Sequence, residues 1–431
     1  MNHEQFQERL DLVRNVIEGY GLKPLNITPL EYDETAPFQY NNFIYKITLS
    51  TPASTTSFAN AGPYTVPPPS TGVSTIVMRV ANPKAEGVVH ETRIENEVAA
   101  IHLARQSLQS FKPEVAGLMP ALYAWQSYQN SKDGFSWSLM DFKEGVTLDS
   151  EFRDMSDADK VDVLGQIADV FTAIQKAPLP SSIQSHGGLT IDRSGEIVGG
   201  QMTILKGGPW KSYSDFWKAK MQLRLEDAGV SPALDGWKPN GVRERIDKYL
   251  DSGLGPYLDG SGVDITSRAL IHGDLTTNNI LFDTKTKKLT GILDFDWAFV
   301  SHPCHEFFSS LGDIGGNTGG GTGRDPDLSG GRLGQAMLTG NFDIPDLPEK
   351  AAGQLVSAKA WDAALAERGA QRPSDIAGIS ALDRLRKLDG LLCPFALEHP
   401  VMLKKKTAEQ IAEMRNAAEK ELVDSLSSFG Y

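Results

Sequence analysis

The segment Leu270-Ile271-His272-Gly273-Asp274-Leu275-Thr276-Thr277-Asn278-Asn279-Ile280-Leu281-Phe282, answered by Gly291-Ile292-Leu293-Asp294-Phe295-Asp296-Trp297, constrains this chain more than any other part of it. An apolar strand leads into a polar turn that carries Asp274 and Asn279. A short strand, a turn at Asp283–Lys288 and a second strand ending on Asp294 follow. Two strands joined by a tight polar turn bring their far ends together, so Asp274, Asn279 and Asp294 are expected to meet at one point.

Those three side chains suit phosphoryl transfer. Such catalysis consists mostly of placing the nucleotide, neutralising developing charge with Mg2+ and orienting the attacking hydroxyl. Mg2+ takes hard oxygen ligands, usually one or two carboxylates beside phosphate oxygens. Asp294 offers a carboxylate and Asn279 an amide oxygen, while Asp274 is placed to accept the proton of an acceptor hydroxyl. Asp-x-x-x-x-Asn is the spacing of the protein-kinase catalytic loop, and Asp294-Phe295 stands where Asp-Phe-Gly stands there. A lone Asp or Asn in a loop is ordinarily a solvated turn residue; the double motif at this spacing reads as chemistry.

His-Gly-Asp-Leu-x-x-x-Asn-Ile-Leu followed by Ile-Leu-Asp-Phe-Asp resembles the aminoglycoside phosphotransferase and choline kinase group, the small-molecule branch of the kinase-like fold. His272-Gly273, in place of His-Arg, separates that group from protein kinases. The resemblance covers roughly 38–308, is strongest over Ile271–Trp297, and is nearest to fungal aminoglycoside phosphotransferase-like proteins. It implies a two-lobed α+β fold with ATP and Mg2+ held in the cleft: residues 1–141 as a β-rich nucleotide-binding lobe, and 142–431 as a helical lobe with the catalytic loop and acceptor site.

Further roles follow from the resemblance. The turn Tyr40–Phe43, with Asn41 and Asn42, would cover the phosphates, although it lacks the glycine-rich run usual for that task. Asn tolerates left-handed backbone and is a substitute for glycine there. Arg79, alone among apolar neighbours in Ser74–Val80, takes the place of the phosphate-gripping lysine; it keeps the charge but is longer and planar. In the helix expected over Glu91–Arg105, Glu97 falls on the face of Ile94, Val98 and Ile101, whereas Glu95 points away from it. An inward glutamate needs a cation, and Arg79 is the natural one; a structural salt bridge is the bland alternative. Met140, Asp141 and Phe142 mark the crossover whose backbone would pair with the adenine edge.

A net charge of −13 argues against nucleic acid or an anionic membrane surface as the main partner, and is compatible with an amine-bearing small acceptor. Asp296 and Glu306, following the Mg2+ aspartate, are the candidate contacts for such an acceptor; either could equally be a structural hydrogen-bond acceptor. Two cysteines cannot form a disulfide framework. With a polar N-terminus and no long apolar run, a cytoplasmic protein is expected.

The remaining chain frames this core. An amphipathic helix is expected over Asn2–Tyr20, opened by a capping box of Asn2 and Gln5, and a long helix over Ser156–Lys176. Residues 51–75, rich in Pro, Ser, Thr and Gly, read as a loop that buries little. Lys206–Ser212 fails the spacing of a phosphate loop, and His302-Cys304-His305 fits no zinc pattern. The glycine-rich 312–334 is either a lid or a surface insertion. The expected activity is ATP-dependent phosphorylation of a hydroxyl on a small metabolite. One rival, a protein kinase, requires an Ala-Pro-Glu-like anchor after Asp294 that the chain lacks. The other, a nucleotide-binding regulatory protein, would be favoured by a Tyr40–Phe43 turn closed over the cleft.

Overall fold

The computed structural model describes residues 2–431 apart from 34, 37, 38, 60, 132, 133 and 320–327. Phe38, at the head of the expected phosphate-covering segment, and the middle of the glycine-rich stretch thus lie outside the described residues.

An antiparallel sheet fills the N-terminal part: β1 (Pro24–Leu30), β2 (Asn42–Ala53), β3 (Val73–Ala81), β4 (Leu122–Gln126) and β5 (Trp137–Asp141), in the order β1-β2-β3-β5-β4. Strict alternation in β2 buries Phe43, Tyr45, Ile47 and Leu49 and leaves Ile44 and Lys46 on the other face. The register Ile44–Arg79–Ser138 places Arg79 on that second face, toward the helical lobe. The first face is covered by helix α1 (Phe6–Gly19) through Val13 and Ile17. Helix α1 starts later than its pattern suggests. Gln5 sits in left-handed backbone without capping the helix, and Asn2 instead accepts a hydrogen bond from the Tyr40 N–H at 3.0 Å.

Residues 51–75 bury more than their composition suggests. Phe58 is buried and stacks on Tyr123 with centroids 5.4 Å apart, and Trp125 Nε1 donates to the Pro63 carbonyl at 3.0 Å. A single aromatic ring anchors the loop where average composition pointed to solvent.

Helix α2 (Arg93–Phe111) is buried on nearly every side, because it lies between the sheet and the helix Asp157–Gln175. Ser107 Oγ donates to the Ala173 carbonyl at 2.6 Å. Glu95 is consequently buried too, contrary to the one-faced pattern expected, and burial raises its carboxyl pKa. Helix Asp157–Gln175 begins as expected, Ser156 Oγ accepting from the Asp159 N–H at 3.2 Å.

Beyond it, helices Tyr213–Val230, Val242–Ser252, Ile379–Leu392 and Ala408–Ser428 enclose a second apolar core. No helix among the described residues is long and apolar enough to cross a membrane. The catalytic strands form the hairpin Ile280–Asp283 with Lys288–Ile292, and Ala269–Ile271 pairs with Phe299–Ser301.

His186, His302 and His305 are buried around Tyr213, whose hydroxyl lies 3.0 Å from His305 Nε2. Among the described residues no group of three or more His, Cys, Asp or Glu side chains is arranged to hold a metal, so this cluster is core. Burial lowers His186, His302 and His272 to about 4, and holds His305 well below its ordinary value. The unfolded chain therefore binds more protons than the folded one between pH 4 and the ordinary histidine value near 6.5. The part of the stability that these rings contribute is full above about pH 6.5 and is lost as pH falls through that window, while the raised carboxyl of Asp274 acts in the opposite sense. Urea unfolding is expected to show a lower midpoint at pH 5 than at pH 7, by roughly 1–2 kcal/mol per histidine at most. NMR titration that finds these rings protonated in the folded protein at pH 5 would contradict their neutral burial.

Candidate active site

The turn bearing Asp274 is built by backbone constraints that only certain residues satisfy. Gly273 has φ +84°, and a Cβ there would lie 2.5 Å from the Trp297 carbonyl oxygen, so this close approach requires glycine. His272 Nδ1 accepts from the Asp274 N–H at 3.3 Å, while its Nε2 faces the Leu293 carbonyl at 3.0 Å. That pair of contacts fits a neutral ring protonated on Nε2, which the lowered pKa also favours. The Leu293 N–H donates to the Asn279 carbonyl at 2.8 Å, so the strand ending at Asp294 is pinned to the loop bearing Asn279.

Asn279 Nδ2 donates to the Asp274 carbonyl at 2.8 Å and to Asp274 Oδ2 at 2.9 Å. Both hydrogens of that amide are thereby directed at Asp274, leaving its oxygen turned elsewhere. Burial raises the Asp274 carboxyl to about 7, reinforced by the Asp294 charge and opposed by the Asn279 hydrogen bond. Asp294 adopts left-handed backbone at φ 63°, and its side chain is 40% exposed.

A charge network joins the sheet to this loop. Arg79 pairs with Glu97 through one guanidinium nitrogen and with Asp294 Oδ1 through the other, at 2.8 Å. The second nitrogen also lies 3.3 Å from Asp296 Oδ2. Ser138 Oγ donates to Glu97 at 3.3 Å. The expected inward direction of Glu97 and its pairing with Arg79 are thus seen. Asp274 and Asn279 form one pair and Asp294, Arg79 and Glu97 another; the Leu293 N–H on the Asn279 carbonyl, and the Asp294 charge felt by Asp274, bring the two together.

Asp296 and Glu306 make structural contacts. Asp296 is 3% exposed, ion-paired with fully buried Arg93, and accepts from Asn42 Nδ2 at 2.6 Å. Burial alone would raise its carboxyl; Arg93 and Arg79 overcome that and hold it well below the usual carboxylate range. Glu306, also 3% exposed, accepts the backbone N–H groups of His272 and of Gly273, the latter at 3.2 Å. Both acids hold loops through these contacts, the structural role open to them from the sequence, and Asp296 Oδ1 is buried without a hydrogen-bond partner. A carboxylate close in sequence to the catalytic loop is as easily claimed by that loop's own N–H groups.

The turn at Tyr40–Phe43 is tied down in the same way. The Tyr40 carbonyl accepts from Asn82 at 2.7 Å and the Asn41 carbonyl from Arg93 at 2.9 Å, while the Asn42 amide rests on Asp296. At the crossover, Met140 is buried and Asp141 accepts from the Ala121 N–H at 2.7 Å. Phe142 carries the Lys46 ammonium 3.9 Å above its ring. Sequence reasoning missed Arg93 and Asn96, which donates to the Ala298 carbonyl at 2.8 Å. A signal existed for Arg93: it lies one helical turn before Glu97 on a helix already assigned an inward charge.

No curated protein matches the chain. Among solved structures it is similar to a thermostable mutant of aminoglycoside phosphotransferase APH(4)-Ia in ternary complex with ADP and hygromycin B, with 17% identity, 95% of this chain and 97% of that chain covered, and a TM-score of 0.45. It is also similar to APH(2")-IIa in complex with gentamicin, with 10% identity, 95% of each chain covered and a TM-score of 0.46. The model of the phosphotransferase enzyme family matches residues 70–337, a span from just before β3 through the catalytic hairpin and more than half the chain. The chain therefore belongs to the phosphotransferase enzyme family, with a β-rich N-terminal part and a helical C-terminal part.

Proposed function

We propose that this protein transfers the γ-phosphoryl group of ATP to a hydroxyl of a small molecule, with Mg2+ as cofactor. The observation that carries this reading is that the pair Asp274–Asn279 lies within the field of Asp294, which Arg79 and Glu97 hold from the sheet side. In this reading residues 1–141 bind nucleotide and 142–431 supply the catalytic loop and acceptor site.

The donor set suits Mg2+. Asp294 Oδ1 meets Arg79 and its carboxylate is part-exposed, while the Asn279 amide oxygen is turned from Asp274. These are hard oxygens of the kind Mg2+ accepts beside phosphate groups. When bound, the ion would neutralise charge on the phosphates. Asn279 orients the Asp274 carboxylate, which receives the acceptor proton. Arg79, held by Glu97, presents a cation to the phosphates, and burial of the pair limits screening by water.

The rival binding-protein reading draws on one observation: Asn42 bonds Asp296 and the Tyr40–Phe43 turn is anchored close to the loop. ADP release with Mg2+-ATP decides between the two. Wild type is expected to turn nucleotide over only with the divalent ion present. Asp294→Ala should weaken Mg2+-nucleotide binding by at least about tenfold, in keeping with the cost of disturbing metal sites. Nucleotide binding without turnover across hydroxyl-bearing compounds would favour the rival.

A further inference from the structure

A cavity of about 920 Å3 opens beside the catalytic loop, with Gly273 and Trp297 in its wall. Gly273 immediately precedes Asp274, so a guest in this cavity has its hydroxyl next to the proposed base. Phe216, Trp297, Phe299 and Phe308 give the wall an aromatic character, and Met202 and Leu223 extend it. Pockets of this kind bind an apolar body and fix its orientation through a few polar groups.

The polar groups here are not those that suit a polycation. Lys206, Lys220, Arg224 and Arg386 line the cavity against Glu91, Asp227 and Asp389. Four cations against three acids give the wall a small positive balance, in a chain whose total is −13. Lys220 is paired with Asp389 at 2.7 Å, and Arg386 with Asp383 at 2.8 Å. Lys206 and Arg224 are exposed; the Arg224 charge is felt by Asp227 in the same wall, whose carboxyl burial raises. Asp389 is 3% exposed and keeps Oδ1 buried without a partner while Lys220 neutralises its other oxygen. Such an atom accepts a hydroxyl hydrogen without demanding a cation. Asp296 and Glu306, the acids expected to greet an amine, are absent from the wall.

We infer that the cavity takes a hydroxyl-bearing acceptor with an apolar ring body and an anionic group, a carboxylate being the simplest. This rests on the phosphotransferase reading above. In the reaction the acceptor hydroxyl gives its proton to Asp274 and its oxygen bonds to the γ-phosphorus. The bond from that phosphorus to the β–γ bridging oxygen breaks, releasing ADP. The anionic group lies against Lys206 and Arg224.

The test uses binding as well as turnover. The probe is 8-anilinonaphthalene-1-sulfonate, an anionic aromatic dye that brightens in apolar surroundings, challenged with cholate below its micelle concentration or with hygromycin B. The variant is Lys206→Glu combined with Arg224→Glu, its folding checked by circular dichroism and thermal midpoint. The dye should bind wild type, and the charge reversal should weaken it by about tenfold or more. Cholate should displace it at concentrations about tenfold below those of hygromycin B. Equal or better displacement by hygromycin B, or a dye affinity indifferent to the charge reversal, would overturn the inference. Asp274→Asn should retain the dye and its displacement pattern. If wild type shows no Mg2+-dependent ADP release while the charge reversal still weakens the dye, the phosphotransferase reading has failed and the cavity chemistry stands.

Discussion

Asp274→Asn is expected to lower kcat by about 10²–10⁴-fold, the range contributed by a positioned general base. The replacement keeps an oxygen where Asn279 Nδ2 now donates at 2.9 Å, so the loop retains its shape. What it removes is the capacity to hold a proton from the acceptor hydroxyl. Nucleotide affinity should stay near that of wild type, because the contacts of Asp294 and Arg79 lie on the other side of the network. The measurement is ADP release under saturating Mg2+-ATP, paired with a nucleotide titration. A variant that keeps wild-type kcat would remove Asp274 from the chemistry and leave the loop without a base.

Arg93→Leu should destabilise the fold by about 3–5 kcal/mol, the cost of stranding one member of a buried ion pair. Arg93 is fully buried, pairs with Asp296 and donates to the Asn41 carbonyl at 2.9 Å. Asp296 would keep only Arg79, at 3.3 Å, and Asn42. The thermal midpoint should fall by on the order of 10 °C. Adding Asp296→Asn to the variant removes the stranded charge and should recover part of the loss, a coupling that a double-mutant cycle reads directly. Loss that simply adds between the two substitutions would show that they do not act on one another.

Much of this was legible along the chain. Strand alternation, the capping serine at 156 and the spacing of Asp274, Asn279 and Asp294 all encode local geometry, and local geometry is what periodicity reports. The pairing of Glu97 with Arg79 was legible because an inward charge demands a partner. The fates of Asp296, Glu306 and the Tyr40–Phe43 turn were not, since each is decided by groups far away in sequence: Arg93, the N–H groups at 272 and 273, and Asn82. Glu95 and Phe58 were misjudged for a related reason. One helix face or one loop composition says nothing of a second surface that arrives from elsewhere to cover it.

The guanidinium of Arg79 is shared between Glu97 on one lobe and Asp294 on the other. If Asp294 holds Mg2+ as proposed, the ion would compete with that guanidinium and loosen this tie. Linkage makes the relation reciprocal: whatever loosens the tie frees the carboxylate and strengthens its hold on the ion by the same factor. In the proposed reading the Asp296 contacts to Arg93 and Asn42 would hold the two sides while this one tie is exchanged for the ion.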